Sequence, residues 1–296
     1  MKHLLVTLAV AAVMEPALRP GGAWAQEGAP GSGETTAADD STGQAAQAAT
    51  DDEARFDPAQ PDYTVINLPT SARLRRFGSA FRVTHRFFRP LGAGDFGSLV
   101  DDFFGIDSGA AIGLEFRFAP VRGGQIGVHR TNGKIIEFFG QYSLIEQSKG
   151  APVSIDARAS IDGTNNFKDS YTPALGAVIS RSFGEAVGVH LVPMWVNNAN
   201  PLPAELSAEA NDSFVLGLGA RVRVLSTVYL LGEIVPRLAG YDPGTMAGSF
   251  GIEKRVGRHL FQLNFSNQRG TAMSQLAQGA LTSDDWFLGF NISRKF

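Results

Sequence analysis

The sequence predicts an all-β protein, a twelve-stranded antiparallel transmembrane up-and-down β-barrel preceded by a disordered tail. Three observations carry that expectation. From Tyr63 onward apolar residues recur at every second position, the period of a strand rather than a helix. The connections between the resulting strands alternate between long and short, as the two ends of a membrane barrel do. The last stretch, Trp286 to Phe296 (WFLGFNISRKF), sets Trp286, Leu288, Phe290, Ile292 and Phe296 against Gly289, Asn291 and Ser293 on the opposite face.

Residues 1–25 read as a secretory signal peptide, with Lys2 as the charged start, Leu4 to Met14 as the apolar core and Ala23-Trp24-Ala25 as the cleavage site. The apolar run is too short to cross a bilayer as a helix, which takes about 20 residues. Residues 26–62 form an acidic periplasmic linker with nine acidic side chains and one basic one, Arg55, a net of −8. So little apolar surface cannot offset the entropy of ordering, and this stretch is expected to be a disordered, solvated spacer. The signal carries +1, so residues 63–296 hold +4 of the chain total of −3. A chain with no Cys has no disulfide framework, thiol chemistry, Cys-ligated metal or lipidated N-terminal cysteine.

The barrel domain is predicted to span 63–296, opening with a lead-in, TVINLPTSARLRR. The first strand alternates Phe81, Val83, His85 and Phe87 with Arg82, Thr84 and Arg86. The second sets Ile112, Leu114, Phe116 and Phe118 against Gly113, Glu115 and Arg117. A short third strand, Gln125 to Arg130, leads into an Asn132-Gly133 hairpin turn, both of whose residues tolerate positive φ. The fourth runs from Ile136 to Leu144 and the fifth from Val153 to Ser160. The sixth (Ala174 to Phe183) and seventh (Ala186 to Val196) follow, with a bulge expected at Pro193. The eighth, Phe214 to Arg223, has Gly217, Gly219, Arg221 and Arg223 on its polar face. The ninth covers Thr227 to Pro236, the tenth Gly248 to Lys254, the eleventh His259 to Ser266, and the C-terminal stretch is the twelfth.

Long connections fall at Arg89–Gly109, Asp162–Tyr171, Asn197–Asp212, Arg237–Ala247 and Asn267–Asp285, with short turns between them. External loops are long and periplasmic turns short, so both termini are expected in the periplasm. Small and charged residues on the polar face suit a crowded lumen, and the apolar face suits lipid.

The C-terminal stretch resembles the signal strand of bacterial outer-membrane barrels, with Trp286, Phe290 and Phe296 as the aromatics that the barrel-insertion machinery would read. The segments TVINLPTSARLRR, FRVTHRFFRP, DFFGIDSGA and GVHRTNGKIIEFFGQYSL resemble an uncharacterised family of bacterial outer-membrane β-barrels, a membrane β-barrel domain of unknown function. The resemblance covers Tyr63 to Phe296. It implies a cell outer membrane location and brings no catalytic or binding residues.

Lumen positions are expected for Arg82, Arg86, Glu115, Arg117, Glu137, Asp156, Arg158, Arg221, Arg223, Glu233 and Glu253. These are candidates for a narrow, basic-leaning channel passing small, anionic solutes. The competing reading is a non-conducting barrel, its lumen closed by cross-strand ion pairs, acting through external loops or the periplasmic tail. In the first long loop, Asp101, Asp102, Phe103, Phe104 and Asp107 form a candidate plug, ligand dock or rim-packed helical turn whose apolar side chains need burial. A membrane-embedded lipid hydrolase is a distant third reading, with His85 as its base. No G-x-S-x-G elbow supports it, and the chain is expected not to be an enzyme. No metal spacing, cofactor fingerprint or nucleic-acid signature is present, so no metal or cofactor is expected. Outer-membrane lipid, the insertion machinery and a small solute are the expected partners.

Overall fold

The computed structural model of the chain describes residues 56–200, 211–240, 245–280 and 282–296. The expected secretory signal and the acidic tail before residue 56 lie outside the described residues. Thirteen strands follow one another: β1 (Ser79–Pro90), β2 (Ala110–Val121), β3 (Gly124–Thr131), β4 (Ile136–Ile145), β5 (Ser154–Gly163), β6 (Asp169–Phe183), β7 (Val187–Val196), β8 (Ser213–Leu225), β9 (Val228–Val235), β10 (Arg237–Gly240), β11 (Ala247–Val256), β12 (His259–Ser266) and β13 (Phe287–Lys295). β9 and β10 are one stave interrupted at Pro236, which has no N–H to give the ladder. β8 pairs with both pieces, and the Leu216 N–H donates to the Pro236 carbonyl at 2.9 Å across the break. β1 pairs with β13, and twelve staves therefore close an antiparallel barrel, as the alternating pattern predicts.

The faces are inverted relative to a soluble protein. Leu114, Phe116, Ile126, Phe138, Leu175, Leu218, Leu230, Ile252 and Phe261 stand exposed on the outside, while their polar neighbours are buried within. Among the described residues no helix is long and apolar enough to cross a membrane. In this protein the strands supply the apolar belt.

Several local expectations change. Pairing of β5 with β6 continues to Asp162 and Thr172, so the predicted Asp162–Tyr171 loop contracts to a turn at residues 164–168. In the β3–β4 hairpin the positive φ falls on Lys134 (63°), because the loop runs one residue longer than a two-residue turn. Pro193 makes no bulge. It pairs with Leu216 of β8, and the ladder toward β6 simply skips it.

The largest departure concerns the lead-in, which is neither strand nor linker. Residues 57–72 enter the barrel from the short-turn end and fill it, with Ala59, Tyr63, Val65, Ile66 and Leu68 all buried. Gln60 and Asp62, assigned to the linker on composition, are buried there too. The segment folds back in a tight turn, with Val65 N–H donating to the Leu68 carbonyl at 2.8 Å and Thr70 N–H to the Tyr63 carbonyl at 2.9 Å. Its seat is a set of wall glycines: a Cβ at Gly217 would come to 2.5 Å from Leu68 Cδ2, and one at Gly188 to 2.7 Å from the Ala59 carbonyl oxygen. Gly217→Val is expected to expel the turn, since overpacking costs about 1–3 kcal/mol. The readout is modification of a Val65→Cys thiol by a bulky maleimide, which should speed up about tenfold or more; unchanged protection would mean that the wall yields instead.

The opposite end is filled by the loop between β12 and β13. Its short helix α1 (Met273–Gln278) buries Met273, Ser274, Leu276 and Ala277. Leu68 from below and Met273 and Ala277 from above join one apolar cluster with Val178, Val192, Met194 and Val196 of the wall. Beside them a cavity lined by Asn67, Arg82, Glu115, Arg158 and Met273 holds only about 20 Å³, room for roughly one water.

Candidate functional site

The site is the seat of the turn at Val65–Leu68. Glu233 of β9 points inward because its stave alternates Leu230, Gly232 and Ile234 outward, and its carboxylate collects the turn's donors. Oε2 accepts from Ile66 N–H at 3.1 Å, Asn67 N–H at 2.9 Å and Leu68 N–H at 3.0 Å, and Oε1 from Asn67 Nδ2 at 2.8 Å. Three successive N–H groups converging on one anion are a backbone nest. Hydrogen bonds to a buried charge are among the strongest in proteins.

The turn's carbonyls are met by donors from the facing wall. Arg82 Nη2 and Asn291 Nδ2 (3.1 Å) both donate to the Ile66 carbonyl, Gln262 Nε2 to that of Val65 (2.8 Å) and Arg221 Nη2 to that of Thr64 (2.9 Å). Arg86 reaches Asn67 Oδ1 at 3.1 Å and Asn291 Oδ1 at 2.9 Å. Further along, Gln141 donates to the Thr70 carbonyl at 2.9 Å, and Ser293 donates to Asp62 at 2.9 Å. Tyr63 lies between Arg117 and the Lys295 ammonium, 5.3 and 4.4 Å from its ring centre. Burial, then the neighbouring Asp62 carboxylate, pushes the Tyr63 phenol well above its usual range.

Behind the plug the wall is cross-linked by charge. Glu115 pairs with Arg117 at 2.7 Å and with Arg82 at 3.8 Å; Glu137 with Arg158 at 3.6 Å; Glu253 with Arg221 at 3.1 Å. Arg117 and Arg158 also stack on Phe139, 4.8 and 4.4 Å from its ring centre. Asp156 accepts from Gln141 at 2.6 Å. The upper loop uses the same wall: Met273 N–H donates to Glu137 at 3.3 Å and Ser274 N–H to Asp162 at 3.2 Å.

Ten of the eleven lumen candidates are therefore brought together. Arg223 is the exception. It keeps the inward parity, but it sits where β8 runs into its turn and is held there by Glu185 at 2.8 Å and by the Ser226 carbonyl. The basic lean is also absent, because Arg82, Arg86, Arg117, Arg158 and Arg221 face the buried acids Glu115, Glu137, Asp156, Asp162, Glu233 and Glu253.

The first long loop neither plugs the lumen nor buries its apolar residues. A short helix at Phe96–Asp101, capped by Asp95, runs into a tight turn, and Phe103 and Phe104 are 66% and 41% exposed. Asp102 is paired with Arg89, which also donates to the Ser98 carbonyl at 2.6 Å and the Ala93 carbonyl at 2.7 Å. These contacts pin the loop to the end of β1. Ser98, through its hydroxyl and its N–H, holds the Asp95 carboxyl below its usual range. Asp101 and Asp107 join no metal cluster, and none of three or more His, Cys, Asp or Glu occurs among the described residues.

His85 faces outward, stacked on Phe290 at 4.7 Å and tilted against Phe87 at 4.5 Å. A Ser–His pair that the sequence did not signal lies inside instead: Ser180 Oγ is 2.8 Å from His190 Nδ1. Ser180 also accepts the Ser71 N–H at 3.2 Å, so the pair serves as another plug contact. Of the C-terminal aromatics, Trp286 packs on Phe250 at 5.4 Å and accepts the Leu91 N–H, Phe290 faces outward, and Phe296 donates its N–H to the Ser79 carbonyl at 2.8 Å.

Residues 62–296 match the sequence family described as "Membrane bound beta barrel domain (DUF5777)". No curated protein matches the chain. Among solved structures, the NanC porin is similar at 6% identity and a TM-score of 0.46, over 74% of this chain and 98% of that one. The outer membrane protein Omp33 of Acinetobacter baumannii is similar at 9% identity and a TM-score of 0.43, over 75% and 98%. Outer membrane phospholipase A from Escherichia coli is similar at 8% identity and a TM-score of 0.39, over 74% and 90%.

Proposed function

Because this chain belongs to the membrane bound beta barrel domain family, we propose that it is an exported outer-membrane barrel whose own N-terminal segment closes a passage for small polar solutes. One observation carries the reading: a lumen wall rich in charge is occupied by residues 57–72 through non-covalent contacts alone. A barrel filled for good gains nothing from buried ions, since apolar side chains of similar volume fill such space at equal or lower cost. With the plug gone, the same wall would be wet. Its balance of guanidinium and carboxylate groups argues for polar solutes of either sign rather than for anions.

The secretory pattern of residues 1–25 and the aromatic C-terminal strand support export and insertion, with Trp286, Phe290 and Phe296 offered to the insertion machinery. The connections that follow β1, β7 and β12 leave the sheet at one end and would face outward. Phe56, which lies under Arg255 at 4.7 Å, and Phe296 then both lie on the periplasmic side, and lipid covers the apolar belt. The reading involves no catalytic step.

Conductance in planar bilayers tests it. The intact protein is expected to be silent at low voltage, and deletion of residues 57–72 to give steady, ohmic openings in a barrel that still shows strand-type circular dichroism. A folded deletion variant that stays silent would overturn the passage and favour a purely structural or interaction role.

A further inference from the structure

Above α1 a second, larger cavity lies at the long-loop mouth of the barrel, of about 630 Å³, within the usual range for small-molecule pockets. It is bounded by Phe88 and Pro90 of β1, Ile112 of β2, the Thr131–Gly133 hairpin and the loop from Asn267 to Phe287. Its floor and its polar groups differ in kind. Phe88 and Phe287 are apolar, and the Arg269 guanidinium is held between them, 5.1 Å from the centre of each ring. Arg269 has these two rings and no carboxylate or hydrogen-bond acceptor as partners among the described residues. Asp285 lines the same cavity without pairing to it, and its N–H is turned to Thr282. Next to Arg269 in the chain, Gln268 is buried with its amide N–H donated to the Gln275 carbonyl, and its Oε1 takes no hydrogen bond.

We infer that this mouth cavity binds a small organic anion with a flat apolar face. A cation fixed by two aromatic rings is already oriented and partly stripped of water, so a carboxylate gains a charge-assisted bidentate contact with little further ordering. The rings then offer the ligand's apolar face a surface that inorganic anions cannot use. The lining sets a guanidinium without an ion pair beside a hydrophobic wall, with Asp285 as its one acid, whereas in the lumen below Arg82, Arg117, Arg158 and Arg221 are each held by a carboxylate. The site lies outside the plug and is complete in the closed barrel, so it stands whether or not the barrel conducts.

The test uses the full-length protein in nanodiscs of zwitterionic lipid, with 4-fluorobenzoate as the probe and its fluorine resonance as the readout. Saturable binding is expected, with benzoate displacing the probe and inorganic phosphate displacing it poorly. Arg269→Gln should weaken binding about tenfold or more. Arg269→Lys, which keeps the charge but loses the planar stack, should fall between the two. Arg294→Gln, changed at the opposite end of the barrel where Arg294 covers Phe296, should leave it unaltered. The inference fails if no saturable binding occurs, if neutral 4-fluorobenzyl alcohol binds as well, if phosphate competes equally, or if Arg269→Gln has no effect.

Discussion

Glu233→Ala should release the plug while leaving the barrel folded. The substitution removes one side chain from the wall, yet it strands three backbone N–H groups and one side-chain amide in the lumen. Each buried donor left without an acceptor costs about 1–3 kcal/mol. The combined penalty is several kcal/mol, on the order of the stability of a local opening. A Val65→Cys thiol, fully buried in the parent, should then react with a polyethylene-glycol maleimide at least about a hundredfold faster. Glu233→Gln should lie between, because it retains one acceptor oxygen. Equal protection in the alanine variant would mean that the carbonyl-side contacts alone hold the turn. The same variant should raise conductance, which separates a released plug from one that merely loosens.

Arg221→Ala should have the largest effect on the barrel itself. Arg221 and Glu253 are both fully buried, and Arg221 joins wall to plug through the Thr64 carbonyl. Removing the cation leaves the Glu253 carboxylate without its counter-charge in a water-poor lumen, a change that costs about 3–5 kcal/mol. Urea unfolding in lipid vesicles should show that loss. Replacing the pair together, Arg221→Met with Glu253→Met, should recover most of it, because no isolated charge remains buried. A double variant as unstable as the single one would mean that Arg221 acts mainly through the plug and not through Glu253.

The staves and their faces were legible because membrane barrels write them twice, in the period-two pattern and in the alternation of connection lengths. That is why all eleven inward candidates keep the parity expected of them, and ten of them meet in the lumen. Arg223 obeyed parity but stood at a strand end, where parity no longer decides what a long side chain reaches. The plug was not legible by the same logic. Residues Thr64 to Leu68 have no strand partner at regular spacing, and their burial comes from contacts to Glu233, Gln262 and Asn291 far along the chain. A hint was present in Val65, Ile66 and Leu68, three large apolar residues that a polar linker would not carry. The upper filling left a plainer signal, since Met273, Leu276 and Ala277 recur at helical spacing within the last long loop. The loop at Phe103 and Phe104 drew attention for its aromatics, but the backbone turns there, with φ of 49° and 58° at those two residues, and leaves both rings exposed.

The position of the plug in the chain also fixes an order of assembly. It immediately precedes β1, and many of its partners come late: Glu233, Gln262, Asn291 and Ser293 lie 165 to 231 residues downstream. Contacts of such long sequence separation are the slowest to form, because the whole intervening chain must first be arranged. The segment at 57–72 therefore waits, tethered to the first stave, until the last one arrives. The zipping of β13 against β1 then brings the last of the plug's partners, Asn291 and Ser293, into place.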